Sequence, residues 1–189
     1  FVVFCICCGY MTTVFAQPGE IISRHYSMKD GLPDQGINCV IQDRKGFIWL
    51  GTFSGFCKFD GNRFTIFQNN PTSRNSLTNN RVNDMWEDKT GKLWLAHPQG
   101  IDVFDTETER FIFHWSDSST QATVLRIRER KDGNLWLCTS NGVFVADTKT
   151  FDVKVYAPIP SEWWIWDIVE SDNGSVVVAA AGRGGYYVD

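Results

Sequence analysis

Cysteine is too sparse in this chain to build anything covalent. Six are present among 189 residues. Cys5, Cys7 and Cys8 fall in one apolar stretch at the start. The other three, Cys39, Cys57 and Cys138, are an odd number with no CxxC spacing. That excludes a disulfide lattice and a zinc site and leaves buried free thiols as the expectation. Positive charge is not in excess either. Eighteen Lys and Arg stand against 22 Asp and Glu, a formal net charge of −4, and no basic cluster offers a face to nucleic acid. Histidine is limited to His25, His97 and His114, with no HExxH, no serine nucleophile elbow and no P-loop. The glycines around Arg183 follow no strand-to-helix pattern, so no phosphate cradle is expected. No catalytic residue, cofactor or metal site is expected from this inventory.

A long hydrophobic run is also missing. Residues 1–15 are uncharged and nearly all apolar, but about 15 residues are too few to cross a bilayer comfortably. Val14 and Ala16 have the spacing of a secretory cleavage site. Residues 1–16 therefore read as a signal peptide whose basic start is clipped, with Gln17 as the first mature residue. The alternative is a buried apolar strand.

What is abundant is aromatic and repetitive. Aromatic residues make up 14% of the chain, with eight Trp; 43% is apolar and 21% charged, which predicts a globular core. One phrase recurs. Asp43, Gly46, Trp49, Gly51 and Thr52 are followed by Asp88, Gly91, Trp94, Ala96 and His97. Arg130, Gly133, Trp136, Cys138 and Thr139 follow in turn, then Ser171, Gly174, Val177, Ala179 and Ala180. The glycines are 45, 42 and 41 residues apart. A period of this size in β-forming sequence indicates propeller blades.

Each blade is written as four strands. The first repeat gives 38–42, a turn to Gly46, 47–52, 56–59 and 63–67. The second gives 81–87, 92–96, 100–104 and 110–114, and the third 124–128, 134–139, 142–146 and 151–156. The fourth gives 165–170 and 175–180 and stops in its next strand. The predicted division is a lead-in over 17–36, blade 1 over 37–79, blade 2 over 80–122, blade 3 over 123–161 and an incomplete blade 4 over 162–189. The alternating run near Ile21 to Tyr26 is expected to be an outer strand of the ring-closing blade. Asp43, Gly46, Trp49, Asp88, Gly91, Trp94, Gly133, Trp136 and Gly174 are assigned to the structural repeat.

The series Asn38, Val40, Ile41, Asp43, Gly46, Trp49, Gly51, Thr52, Gly55 and Phe56 resembles the two-component regulator propeller repeat. The lead-in Tyr26, Asp30, Gly31, Leu32 and Pro33 is similar to the opening of that family's sensor region. The resemblance implies an all-β partial propeller, about three and a half blades of a seven-bladed ring. It implies the periplasmic sensor region of a hybrid two-component histidine kinase, homodimeric and held in the inner membrane by a later helix. An oligosaccharide ligand is implied too, with output to transcription through downstream kinase and DNA-binding modules. The alternatives are a stand-alone secreted propeller binding protein or glycan, and a sialidase-like glycosidase. Sialidase turns place Asp two residues before Gly, however, whereas Asp43 and Asp88 sit three before.

Strand alternation places the blade-joining loops 68–80, 115–123 and 157–164 on one rim, beside the turns at His97 and Arg183. Convergent loop faces favour ligands. Trp163 and Trp164 offer ring faces to a sugar, and Arg183 and His97 offer donors, so these four are the candidate ligand contacts. The competing assignment packs one of the tryptophans into the loop. Trp166 is expected to be core.

Overall fold

The computed structural model describes residues 23–117, 121–156 and 159–188. The segment read as a signal peptide, with Cys5, Cys7 and Cys8, lies outside the described residues. Fifteen strands are described, in four antiparallel sheets. Blade 1 is β1 (Ile37–Gln42), β2 (Ile48–Thr52), β3 (Gly55–Phe59) and β4 (Phe64–Phe67), paired in chain order. Blade 2 is β5 (Asp84–Glu87), β6 (Lys92–His97), β7 (Gly100–Asp105) and β8 (Arg110–Trp115). Blade 3 is β9 (Val124–Glu129), β10 (Leu135–Thr139), β11 (Gly142–Ala146) and β12 (Val153–Val155). Blade 4 has β13 (Ile165–Glu170), β14 (Val176–Ala180) and β15 (Gly184–Val188). The first strands β1, β5, β9 and β13 touch in succession from blade to blade. They are the inner strands of a partial β-propeller.

Burial follows from that stacking. The middle strands β6, β7, β10 and β11 are almost wholly buried, whereas the outer β4, β8 and β12 are half-exposed or alternate. Three apolar cores fill the spaces between blades. Trp49, Phe56, Leu77, Val82 and Phe104 fill the first, Trp94, Ile127, Leu135 and Leu137 the second, and Trp136, Val143, Ile165 and Val178 the third. Each repeated tryptophan thus belongs to the space between its own blade and the next. Gly51 shows why its column is small: a Cβ there would meet Cys39 Sγ at 2.5 Å and Val82 Cγ1 at 2.8 Å.

The turn phrase has a defined chemistry. Asp43 Oδ1 accepts from the backbone of Lys45 (3.0 Å) and Phe47 (2.9 Å), and Oδ2 accepts from Trp49 Nε1 (2.7 Å). Asp88 repeats this with Thr90 N (2.7 Å), Lys92 N (3.1 Å) and Trp94 Nε1 (2.9 Å). One carboxylate closes the turn and satisfies the buried indole six residues on. Burial works to raise the pKa of Asp88, but the bonds from Trp94, Thr90 and Lys92 outweigh it and the net shift is downward. All four turn glycines, Gly46, Gly91, Gly133 and Gly174, have φ between 84° and 91°, so even the worn fourth copy keeps the backbone.

The lead-in behaves differently from its sequence pattern. Residues 23–27 form no strand, and Met28–Asp30 make a 3-10 turn capped by Ser27. Tyr26 packs edge-on against Phe59 (4.9 Å) and Phe64 (5.6 Å), on blade 1 itself. Residues 20–22 of the predicted outer strand lie outside the described residues.

Candidate functional site

The blade-joining loops and the β2–β3, β6–β7, β10–β11 and β14–β15 turns share one rim. Backbone bonds tie them across blades: Gly55 N donates to Asn80 O (2.6 Å) and Gly142 N to Trp163 O (2.7 Å). The opposite rim carries the Asp-to-Gly turns. Two groupings of chemistry-bearing side chains occupy the loop rim.

The first is aromatic. Arg183 Cζ lies 5.2 Å over the Trp163 ring, which also packs on Tyr186 at 4.3 Å. Trp163 is partly buried against the third core, so it fixes the loop and Arg183 together. Trp164 is 49% exposed and meets Trp166 edge-on at 6.1 Å. Trp166 is 50% exposed, which corrects its assignment to the core. The reason is local. The β13–β14 register slips between Ile165 and Asp167, leaving Trp166 as the extra residue of a bulge that turns its side chain outward. The same slip occurs at Asn38 and Leu125. Asn38 Nδ2 uses it to reach Val82 O of the next blade (2.8 Å); Asn83, at the equivalent place in blade 2, reaches Val124 O (2.7 Å).

The second grouping surrounds a buried carboxylate. Asp102 is fully buried on β7. Its Oδ2 accepts from Thr78 N (2.7 Å), and Oδ1 from Thr78 Oγ1 (2.8 Å); His114 Nδ1 lies 2.7 Å from Oδ1. Burial pushes the Asp102 carboxyl up, yet the contacts from His97, Thr78 and His114 overcome it and hold the pKa below the ordinary value. His97 is also fully buried, which corrects its place among the ligand contacts: no part of it reaches the rim surface. It stands where Thr52 and Thr139 stand. Those threonines donate to Gly55 O (2.7 Å) and Gly142 O (2.9 Å) and cap the turn. Their hydroxyls also accept, from Ser54 N (3.1 Å) and Asn141 N (2.9 Å), and His97 Nδ1 imitates that accepting bond by taking Gln99 N (3.2 Å), which places its proton on Nε2. Nε2 lies 3.2 Å from Asp102 Oδ1, so its N–H dipole favours the ionised carboxylate.

Of the four predicted contacts, the structure brings Trp163 and Arg183 together, leaves Trp164 exposed beside them in sequence, and buries His97 in blade 2. The sequence reading missed His114, Thr78 and Asp102. The signal was available: Asp102 occupies a strand position held by Cys57, Phe144 and Tyr186 in the other blades. It also missed an ionic stitch across the inner strands, where Asp84 Oδ2 accepts from Ile127 N (2.9 Å) and Arg128 Nη2 donates to Asp167 Oδ2 (2.9 Å). Burial is the main cause of a raised pKa at Asp84. Cys57 and Cys138 are buried free thiols, as expected, while Cys39 is half-buried; burial pushes Cys39 and Cys57 up to about 12 and raises Cys138 as well, which favours the protonated thiol.

Residues 31–54 match the family model described as the two component regulator propeller. Histidine kinase P4 of Formosa agariphila is 35% identical over 63 residues, which are 33% of this chain and 5% of that protein. The fold is similar to the extracellular domain of BT4673 from B. thetaiotaomicron, with a TM-score of 0.66 and 19% identity; the match covers 85% of this chain and 22% of that one. Virginiamycin B lyase from Staphylococcus aureus has a similar fold too, at a TM-score of 0.57 and 13% identity over 83% of this chain and 56% of that one. Likeness at these identities speaks to the fold alone, since one propeller serves unrelated functions. The chain spans a small part of the kinase and of the BT4673 domain.

Proposed function

We propose that this chain, which carries the two-component regulator propeller repeat, is part of the exported ligand-sensing region of a hybrid two-component histidine kinase, and that its ligand is an oligosaccharide. The observation that carries the sensor reading is the coincidence of two matches: the repeat at residues 31–54 and the stretch of 35% identity to a histidine kinase. The loop rim supports the ligand class. Trp164 presents an open ring, and Arg183 sits on Trp163 with its guanidinium at the surface. Aromatic rings stack on the C–H face of a sugar at low entropic cost. The fragment itself positions the ligand; phosphoryl transfer belongs to a kinase module of the whole protein. Localisation on the periplasmic face of the inner membrane follows from the same reading, as does a homodimer.

A sensor of this kind transmits only if the ligand binds two arrangements of the protein unequally. The experiment is a glycan panel titrated into the full-length protein, with autophosphorylation read in parallel. Trp164→Ala is expected to weaken the binding glycan about tenfold, the loss of roughly 1.4 kcal/mol of stacking, with the melting temperature unchanged. Unchanged affinity removes Trp164 from the site. A panel in which no glycan binds or alters phosphorylation overturns the oligosaccharide reading.

A further inference from the structure

The cluster around Asp102 calls for a physical reason. A fully buried carboxylate is costly, and the same position holds Cys57, Phe144 and Tyr186 elsewhere, so the blade does not need a charge there. What the charge does is hold two surface side chains. Thr78 and His114 are both fixed by Asp102, and both line a pocket of about 410 Å³ with Asn69, Asn70, Ser73 and Arg74. It is an open depression, the kind of surface on which a sugar ring can lie with one face in solvent.

The pocket wall is pre-organised. Leu77 anchors the 68–80 loop in the first core, Asn69 Nδ2 donates to Leu77 O (2.6 Å), and Phe111 N donates to Asn75 Oδ1 (2.8 Å). His114 lies parallel to Phe111 at 6.0 Å, which holds the ring's tilt. Its Nδ1 is committed to Asp102, so Nε2 is the ring nitrogen left to meet a ligand. It can accept from a hydroxyl when the ring is neutral and donate to an acidic group when both nitrogens carry protons. Arg74, on the same loop, is exposed, and no hydrogen bond or ion pair holds it among the described residues. A lone guanidinium matches a singly charged acid group, pairing two of its N–H donors with two oxygens of a carboxylate or a sulfate ester. The amides and hydroxyls around it suit sugar hydroxyls.

We propose that this pocket is a subsite for a singly charged acidic sugar, with Arg74 and His114 on the acidic group and Asn69, Asn70 and Ser73 on the hydroxyls. The saccharide part rests on the sensor reading above; the anionic part rests on this pocket alone. The probes are glucuronic acid, glucose 6-sulfate and glucose, titrated into the full-length protein. At least one acidic sugar is expected to bind tenfold or more tightly than glucose. Arg74→Ala, which removes no hydrogen bond or ion pair among the described residues, is expected to erase that preference, and His114→Gln to reduce it with the melting temperature held within a few degrees. Preference for glucuronic acid over the sulfate assigns a carboxylate, and the reverse a sulfate ester. No acidic preference, or a preference untouched by Arg74→Ala, overturns the subsite. If neutral oligosaccharides still bind and Trp164→Ala still weakens them, the subsite fails while the sensor reading stands.

Discussion

Trp94→Phe and Trp136→Phe remove the same atoms from equivalent positions, and their costs should differ widely. Trp94 Nε1 donates to Asp88 Oδ2 at 2.9 Å, a buried bond to a charged acceptor. Losing it costs about 1.5–3 kcal/mol, and the smaller ring costs roughly another 1–2 kcal/mol in packing. Trp136 has Arg130 where the acceptor should be. Its Nε1 is buried with no partner, and the Arg130 guanidinium lies 4.1 Å over the ring instead. An orphaned buried N–H already costs about 1–3 kcal/mol, so its removal offsets most of the packing loss. Phenylalanine also keeps a ring face for Arg130. Trp94→Phe should therefore destabilise by roughly 3–4 kcal/mol and Trp136→Phe by about 1 kcal/mol or less. Equilibrium urea unfolding of both variants, read at equal m-values, measures the gap. A gap below about 1 kcal/mol refutes the claim that the aspartate–indole bond is what the turn phrase encodes.

Two further perturbations test other parts of the frame. Gly100 has φ 136°, and a Cβ there would lie 1.9 Å from Trp115 O, so Gly100→Ala should lower stability by about 3 kcal/mol or more; a thermal melt within 2 °C or so of the parent would contradict that close approach. Asp102→Asn should destabilise by about 3 kcal/mol at neutral pH by breaking a buried charged network. The Asp102 pKa is depressed in the folded state, so its contribution is fully present above the unfolded value near 3.8 and is lost as pH falls through the folded value. Parent and variant stabilities should thus converge only on the acid side, and a difference constant down to pH 2 would exclude the linkage.

The architecture was legible because it is written in contacts that repeat. The glycine spacing set the blade, and the Trp column marked its inner face. Most strand boundaries agreed closely with the β1–β15 ladders, although β5 (Asp84–Glu87) and β12 (Val153–Val155) are each three residues shorter than the predicted 81–87 and 151–156. Trp166 was misplaced because a bulge reverses the side-chain parity that alternation assumes, and a bulge leaves no residue signature when it recurs on Asn38, Leu125 and Trp166 alike. His97 was misplaced because a turn position on a rim looks exposed, whereas the threonine it replaces is itself buried. His114 and Thr78 were illegible for a different reason. They lie 36 residues apart on separate elements, and only the fold brings both to one carboxylate.

The departures from the repeat are of two kinds, and the difference bears on function. In blade 4 the aspartate and the tryptophan are lost together, as Ser171 and Val177, so neither partner is left orphaned. Ser171 Oγ closes the turn by donating to Ser175 O (2.8 Å), and Asn173 Oδ1 accepts from Ser175 N (3.2 Å). That is relaxation: a contact disappears whole and the backbone survives. Blade 2 departs in the opposite sense. It adds a buried charge at Asp102, a buried imidazole at His97 and a third group at His114, at positions where the neighbouring blades manage with threonine and apolar residues. Asp102 or His97 alone would be a buried polar group short of partners, which is costly, whereas His114 is exposed and bonds Asp102 from the surface. The proposed subsite accounts for their joint presence: Asp102 holds Thr78 and His114, the two side chains of the cluster that reach the surface.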